Sequence, residues 1–206
     1  MGSNMIPLPD TTQSLKTLIR RPSAPGADHY FYLEGFCAAL DEPFEIREAR
    51  ARLHFYQNVP IHIHPGEAIV GQIDWNEPLV TQVANTHLRP EVLARLLAGS
   101  LPQAEKARLQ EMVKQAQPFC FDPWAHLSPE EKLVQESHLA PSTFFNGHMV
   151  PDFATILSRG LGGLLGEIQQ FQTRTLSPVQ RNFYTAMEIT TRGLSAYVAR
   201  YAVLAE

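Results

Sequence analysis

The sequence predicts a mainly α-helical fold with one small two-stranded extended patch. Three observations predict it. Apolar residues recur at spacings of three and four through most of the 206 residues. Prolines and glycines punctuate the chain where helices begin or end. Strict alternation is confined to Ile61-His62-Ile63-His64, followed after a Gly-Glu turn by the short apolar run Ala68-Ile69-Val70.

The elements follow in order. Residues 1–26 read as an extended tail and a short helix, which Asp10 or Thr11 caps and Arg21-Pro22 and Pro25-Gly26 break. Residues 27–206 read as a single helical domain. Its first helix, 27–40, carries Tyr30, Leu33, Phe36, Cys37 and Leu40 at helical spacing. Pro43 suits the first turn of the next helix, where a missing N–H costs nothing. That helix places Ile46, Ala49, Leu53 and Tyr56 on one face, turns Arg47, Glu48 and Arg50 toward solvent or a partner, and stops at Pro60. Residues 61–63 and 68–70 form the extended patch, and 74–89 read as loop.

Helices are expected at 90–98, stopped by Gly99, and at 103–116. The connector 117–129, with three prolines and three aromatics, reads as ordered and packed. Ser128-Pro129-Glu130-Glu131 is a capping-box start for a helix to about Gln135. A broad apolar face from Phe153 to Phe171 marks the next helix. Gly160, Gly162, Gly163 and Gly166 lie within it. Each glycine costs about 1 kcal/mol relative to alanine, so another backbone is expected to pack closely there. Ser177-Pro178 opens a long final helix with Val179, Phe183, Met187, Leu194 and Tyr201 along one side.

Composition narrows the function classes. Hydrophobic residues make up 44% and charged residues 18%, which excludes wholesale disorder. A net charge of -4 leaves no basic footprint for nucleic acid. No apolar run approaches the roughly 20 residues that cross a bilayer. The N-terminal residues lack a basic flank and an apolar signal segment, so the expected location is cytoplasmic.

Few residues stand out chemically. His62 and His64, two apart on a strand, project from one face and form a weak two-ligand metal pattern, with Glu67, His54 or His87 as a third. A polar strand face, with Ile61 and Ile63 turned inward, is the commoner outcome of such a pair. His148, between Asn146-Gly147 and Pro151-Asp152, sits in a turn before a helix, where an imidazole can hydrogen-bond a substrate hydroxyl or move a proton; it can also simply fill the turn. Cys37 and Cys120 read as small core residues with raised pKa values. Arg47, Arg50 and Arg52 offer an anion site or, more commonly, a solvated helix face.

Three stretches resemble one family, the glycyl radical enzymes related to pyruvate formate-lyase. Arg47-Glu48-Ala49-Arg50-Ala51 with Val59-Pro60-Ile61 and Gly66-Glu67-Ala68-Ile69-Val70-Gly71 is similar to the segment entering that family's first short strands. Phe145-Asn146-Gly147-His148-Met149-Val150-Pro151-Asp152-Phe153 resembles its Gly-His turn and following helix, and Phe183 through Ala202 resembles the long helix after it. The resemblance implies the N-terminal part of a lyase or dehydratase of anaerobic metabolism. In complete members a radical S-adenosylmethionine activase installs a glycyl radical, which oxidises a cysteine to a thiyl inside a ten-stranded barrel. It assigns His148 to contact with the substrate's leaving hydroxyl, and no other residue here to the site.

The sequence departs from the family where the chemistry lies. Its Gly-Cys-x-Glu and Arg-Val-x-Gly-Tyr loops have no counterpart, Leu79 stands where many relatives have arginine, and 80–140 diverges. The chain alone is therefore expected to be inactive and to bind no cofactor. Its expected partner is a remaining catalytic polypeptide, or a second copy through apolar helix faces. A stand-alone, non-catalytic interaction protein derived from this segment is the alternative.

Overall fold

The computed structural model describes residues 27–61, 63, 80–81, 87–88, 90–120, 127–137 and 152–206. The expected tail and first short helix, 1–26, lie outside them.

Helix boundaries follow the punctuation of the sequence closely. α1 spans Ala27–Cys37, leaving the helix three residues earlier than expected through tight turns closed by Ala39 N–H to Phe36 O at 3.1 Å and Glu42 N–H to Ala39 O at 3.1 Å. α2 runs Phe44–Asn58 from an N-cap at Pro43, and its last bond is Val59 N–H to Phe55 O, after which Pro60 has no donor to continue. α3 spans Pro90–Ala98 and α4 Gln103–Ala116, as expected from Pro90 and Gly99. Lys106 Nζ reaches back to Gly99 O at 2.8 Å, placing a cation at the carbonyl end of α3. A single 3-10 turn, Gln117–Phe119, follows.

α5, Pro129–Glu136, begins with the expected reciprocal box: Ser128 N–H donates to Glu131 Oε2 at 2.8 Å and Glu131 N–H to Ser128 Oγ at 3.2 Å. α6, Phe153–Gln172, is capped by Asp152, which accepts from Thr155 N–H at 3.0 Å and Thr155 Oγ1 at 2.7 Å. α7, Pro178–Ala205, starts at a Ser177–Gln180 capping box.

Of the expected extended patch, Ile61 and Ile63 are described without strand assignment, and residues 62 and 68–70 lie outside the described residues. Within the stretch read as loop, Val80–Thr81 (β1) and His87–Leu88 (β2) pair antiparallel, Val80 opposite Leu88 and Thr81 opposite His87. Two β-branched residues in β1 favour the extended backbone there.

The core sits among α1, α2, α3 and α4. Tyr32, Leu33 and Phe36 of α1 meet Ala51 of α2, Val92 and Leu96 of α3, and Leu109, Met112, Val113 and Ala116 of α4. α2 packs on α1 with one face and on α7 with the other, and α7 packs in turn on α6.

The close helix approaches are not at the glycine quartet. A Cβ on Gly35 would lie 2.6 Å from His54 Cβ and 2.9 Å from Ala51 Cα, and one on Gly193 would lie 3.0 Å from Leu53 Cα. These two bare positions let α1 and α7 approach α2. Above Gly160, Gly162 and Gly166 there is nothing within 4 Å, and Gly163 meets only Arg159 of its own helix. Gly160 adopts φ 65° and ψ 173°, which kinks α6, so at this position glycine serves the backbone bend and not a close contact.

Candidate functional site

His148 and the weak metal candidates His62 and His64 lie outside the described residues, as does Glu67. Of the possible third ligands, His54 is described. Its Nε2 stands 3.0 Å from Glu34 Oε2, and its Nδ1 is 3.4 Å from Asn58 Nδ2. Glu34 also accepts Arg108 of α4 at 2.6 Å. Glu34 thus ties α1 to both α2 and α4, and His54 is engaged in that tie. No cluster of three or more potential metal ligands occurs among the described residues.

A second polar group is more deeply placed, and it corrects the sequence reading. Arg47 is only 7% exposed, not turned to solvent. Its guanidinium lies 5.1 Å from the Phe36 ring centroid, 6.0 Å from that of Phe44 and 4.7 Å from that of Phe119. Cation–π attraction offsets part of its desolvation. Nη1 adds contacts to Leu40 O at 3.4 Å and Glu42 O at 3.5 Å, holding the turn between α1 and α2. Beside it the Tyr32 hydroxyl donates to Glu48. Phe119 is 72 positions beyond Arg47 in the sequence, so no local pattern around Arg47 announces the cage. Arg50 behaves as expected, pairing at the surface with Glu42 at 3.1 Å.

Both thiols flank this cluster. Cys37 Sγ donates to Met112 O at 3.3 Å, and Cys120 Sγ to Ala116 O at 3.3 Å, one helical turn further along α4. Burial pushes the Cys37 thiol up to about 11. Burial, reinforced by Glu48 and Cys37, pushes Cys120 up to about 12. Both stay protonated at neutral pH, as expected of core cysteines, and neither supplies a thiolate nucleophile. Each is a helix-packed thiol bonded to a carbonyl of α4.

At the end of α2, Arg200 of α7 donates from Nη1 to Tyr56 O at 2.8 Å and from Nη2 to Val59 O at 2.6 Å. The cation sits where α2 presents its last carbonyls, and it fixes the chain as it leaves toward His62 and His64. Tyr56 and Tyr197 lean on one another at 5.3 Å beside it, and burial raises the Tyr197 phenol. An open groove between α3 and α4, lined by Leu93, Leu97, Val113 and Pro118, offers apolar contact and Lys114 but no acid–base pair. The described residues thus build a helical support, and His148, the imidazole singled out by sequence, is not among them.

Comparison with known proteins supplies the frame for this geometry. Among solved structures, the fold is similar to that of a Roseburia inulinivorans protein of 1,2-propanediol dehydration, with TM-score 0.68, 21% identity, and 94% of this chain covering 27% of that one. It is similar to the B12-independent glycerol dehydratase of Clostridium butyricum, with TM-score 0.61, 21% identity, and 92% of this chain covering 27% of that chain. A glycyl radical enzyme of Archaeoglobus fulgidus gives TM-score 0.63 at 20% identity, with 95% of this chain covering 28% of that one. At such identities the likeness is one of fold, and the chain spans little more than a quarter of these proteins' length. Sequence comparison with curated proteins gives no match. The family described as pyruvate formate lyase-like matches residues 32–206, from the buried Tyr32 to the end of α7, and the chain belongs to that family.

Proposed function

We propose that this chain is the helical N-terminal portion of a glycyl-radical-type lyase or dehydratase, catalytically incomplete by itself. The fold match carries the reading: nearly all of this chain superposes on about a quarter of a dehydratase-related structure, 94% on 27%. The loops that hold the thiyl cysteine and the radical glycine are not in its sequence. They belong to a remainder, continuous with this chain or a separate polypeptide. The glycyl radical, installed there by a radical S-adenosylmethionine activase, supplies the hydrogen-abstraction chemistry.

This chain's own contribution is positional. α2, held by Arg200, delivers the Pro60 segment, and Asp152, four residues after His148 in the sequence, caps α6. His148 donates a hydrogen bond or a proton to the hydroxyl that leaves the substrate, the role an imidazole serves near neutral pH. The assembly works in the cytoplasm.

The test is reconstitution. The chain is expressed alone and together with the loop-bearing polypeptide found in its native cells, and each sample is activated anaerobically. 1,2-Propanediol and glycerol, the compounds of the two similar dehydratase structures, are then supplied. A glycyl radical signal by electron paramagnetic resonance and dehydrated product are expected only from the combined sample. His148→Ala lowers product formation while the radical signal persists. A cooperatively melting monomer with no loop-bearing partner in those cells overturns the proposal in favour of a non-catalytic interaction protein.

A further inference from the structure

Among the described residues, α7 exposes an apolar row along one side. Val179 is 70% exposed, Phe183 55%, Met187 38%, Leu194 36% and Val198 52%. At about 100° per residue these five fall within an arc of about 100°, forming one stripe about 28 Å long. All the charged residues between Val179 and Val198, namely Arg181, Glu188 and Arg192, fall on the far side of the helix. Single exposed apolar residues are ordinary, but an aligned, uncharged row over five turns is not.

The rest of α7 is already engaged. Gly193, Tyr197 and Arg200 face α2, with a Gly193 Cβ reaching within 3.0 Å of Leu53 Cα. Tyr184 stacks on Phe171 of α6 at 5.6 Å, and Glu188 accepts Gln169 and Gln172 of α6 at 3.3 and 3.1 Å. A helix at a permanent water boundary presents polar residues between its packed faces; this one presents the stripe.

We infer that the Val179–Val198 stripe is the seat of the remainder of the radical-enzyme fold, the part that carries the two reactive loops. The inference rests on the proposed function and specifies where the two parts join. The occupant follows from length: this chain covers 27% of the first two structures it matches, so nearly three-quarters of such a fold has to find a surface on the described helices or outside them. An apolar row of this length, buried in a subunit contact, resembles the desolvated centre of an obligate interface.

A photo-crosslinking benzoylphenylalanine placed at Phe183 in the full chain, in its native cells, tests the assignment. Ala107, exposed on α4, is the control position. Crosslinked peptides from a polypeptide bearing Gly-Cys-x-Glu and Arg-Val-x-Gly-Tyr are expected from Phe183 and not from Ala107. The F183D/V198D variant retains its helical content while co-purifying at least about tenfold less of that polypeptide, or, where the two are continuous, releasing it to limited proteolysis. Crosslinks from Phe183 only to a second copy, only to unrelated proteins, or to nothing overturn the assignment. If the loop-bearing polypeptide accompanies the wild-type chain but Phe183 does not touch it, the surface is wrong and the enzyme reading stands. If no such polypeptide accompanies it at all, the enzyme reading itself fails.

Discussion

The helices between α1 and α4 and the α6–α7 hairpin solve the burial problem in opposite ways. In the first region short helices close a core, with Tyr32, Leu33, Phe36 and Leu109 having no exposed surface. In the second, the two longest helices among the described residues bury only Ile168 and Gly193. α6 and α7 are instead held by their N-terminal caps, by a few polar bridges and by the α2 contact. Helix length and completeness of burial run against each other here, as they would in the N-terminal portion proposed above.

The contrast is sharpest in large-to-small substitutions. Leu109→Ala removes a side chain surrounded on all sides and is expected to cost about 2–5 kcal/mol. Leu157→Ala, at a position 83% exposed, is expected to change the stability of the isolated chain by less than about 0.5 kcal/mol. Chemical denaturation of both variants measures the difference in midpoint. Equal losses would mean that α6 is covered in the isolated chain and that the comparison is false.

Glycines give a smaller effect with opposite signs. Gly35→Ala puts a methyl 2.6 Å from His54 Cβ and 2.9 Å from Ala51 Cα, forcing α1 and α2 apart, and is expected to destabilise by about 1–3 kcal/mol. Gly166→Ala meets nothing within 4 Å and is expected to stabilise the isolated chain by about 0.5–1 kcal/mol through helix propensity. Thermal melting of the two variants reads the signs directly.

These glycines also mark what was legible in the sequence. Local signals were sufficient for the helices: Pro43, Pro90, Gly99, the Ser128 box and Ser177-Pro178 set boundaries that the structure reproduces. A dense set of four glycines suggests a packing surface, whereas the isolated Gly35 and Gly193 make the close approaches. A lone glycine inside a helical pattern is the available cue. The helical period turns Arg47 toward solvent or a partner, but its caging rings come from α1, from the start of α2 and from Phe119, a long-range arrangement that no helical period encodes. Arg200 was missed for the same reason, its acceptors lying more than 140 residues earlier. His148 stands out in the sequence by its Asn-Gly turn, but its substrate-contact role comes only from family resemblance, and its position lies outside the described residues.

The smallest effect concerns how the hairpin holds together without a buried core. Glu188 accepts from Arg192 one turn along α7 and from Gln172 and Gln169 across on α6. Hydrogen bonding from Arg192, then from Gln172, holds its carboxyl below the ordinary value of 4.5. With the folded value depressed, the unfolded chain binds more protons in acid, so the stabilisation is present above about pH 4.5 and fades as pH falls through the folded value. Asp152, bonded to Thr155 at the other end of α6, is depressed likewise and adds a second loss in the same range. Urea midpoints measured from about pH 6 to about pH 3 should fall for the wild-type chain and fall less steeply for Glu188→Gln, with Asp152→Asn subtracting its own share. Because these acidic contacts lie in and beside the hairpin, Leu109→Ala should lower the whole profile without altering its slope. A slope unchanged by Glu188→Gln would show that the Glu188 carboxylate bridges contribute nothing to the stability of the α6–α7 contact.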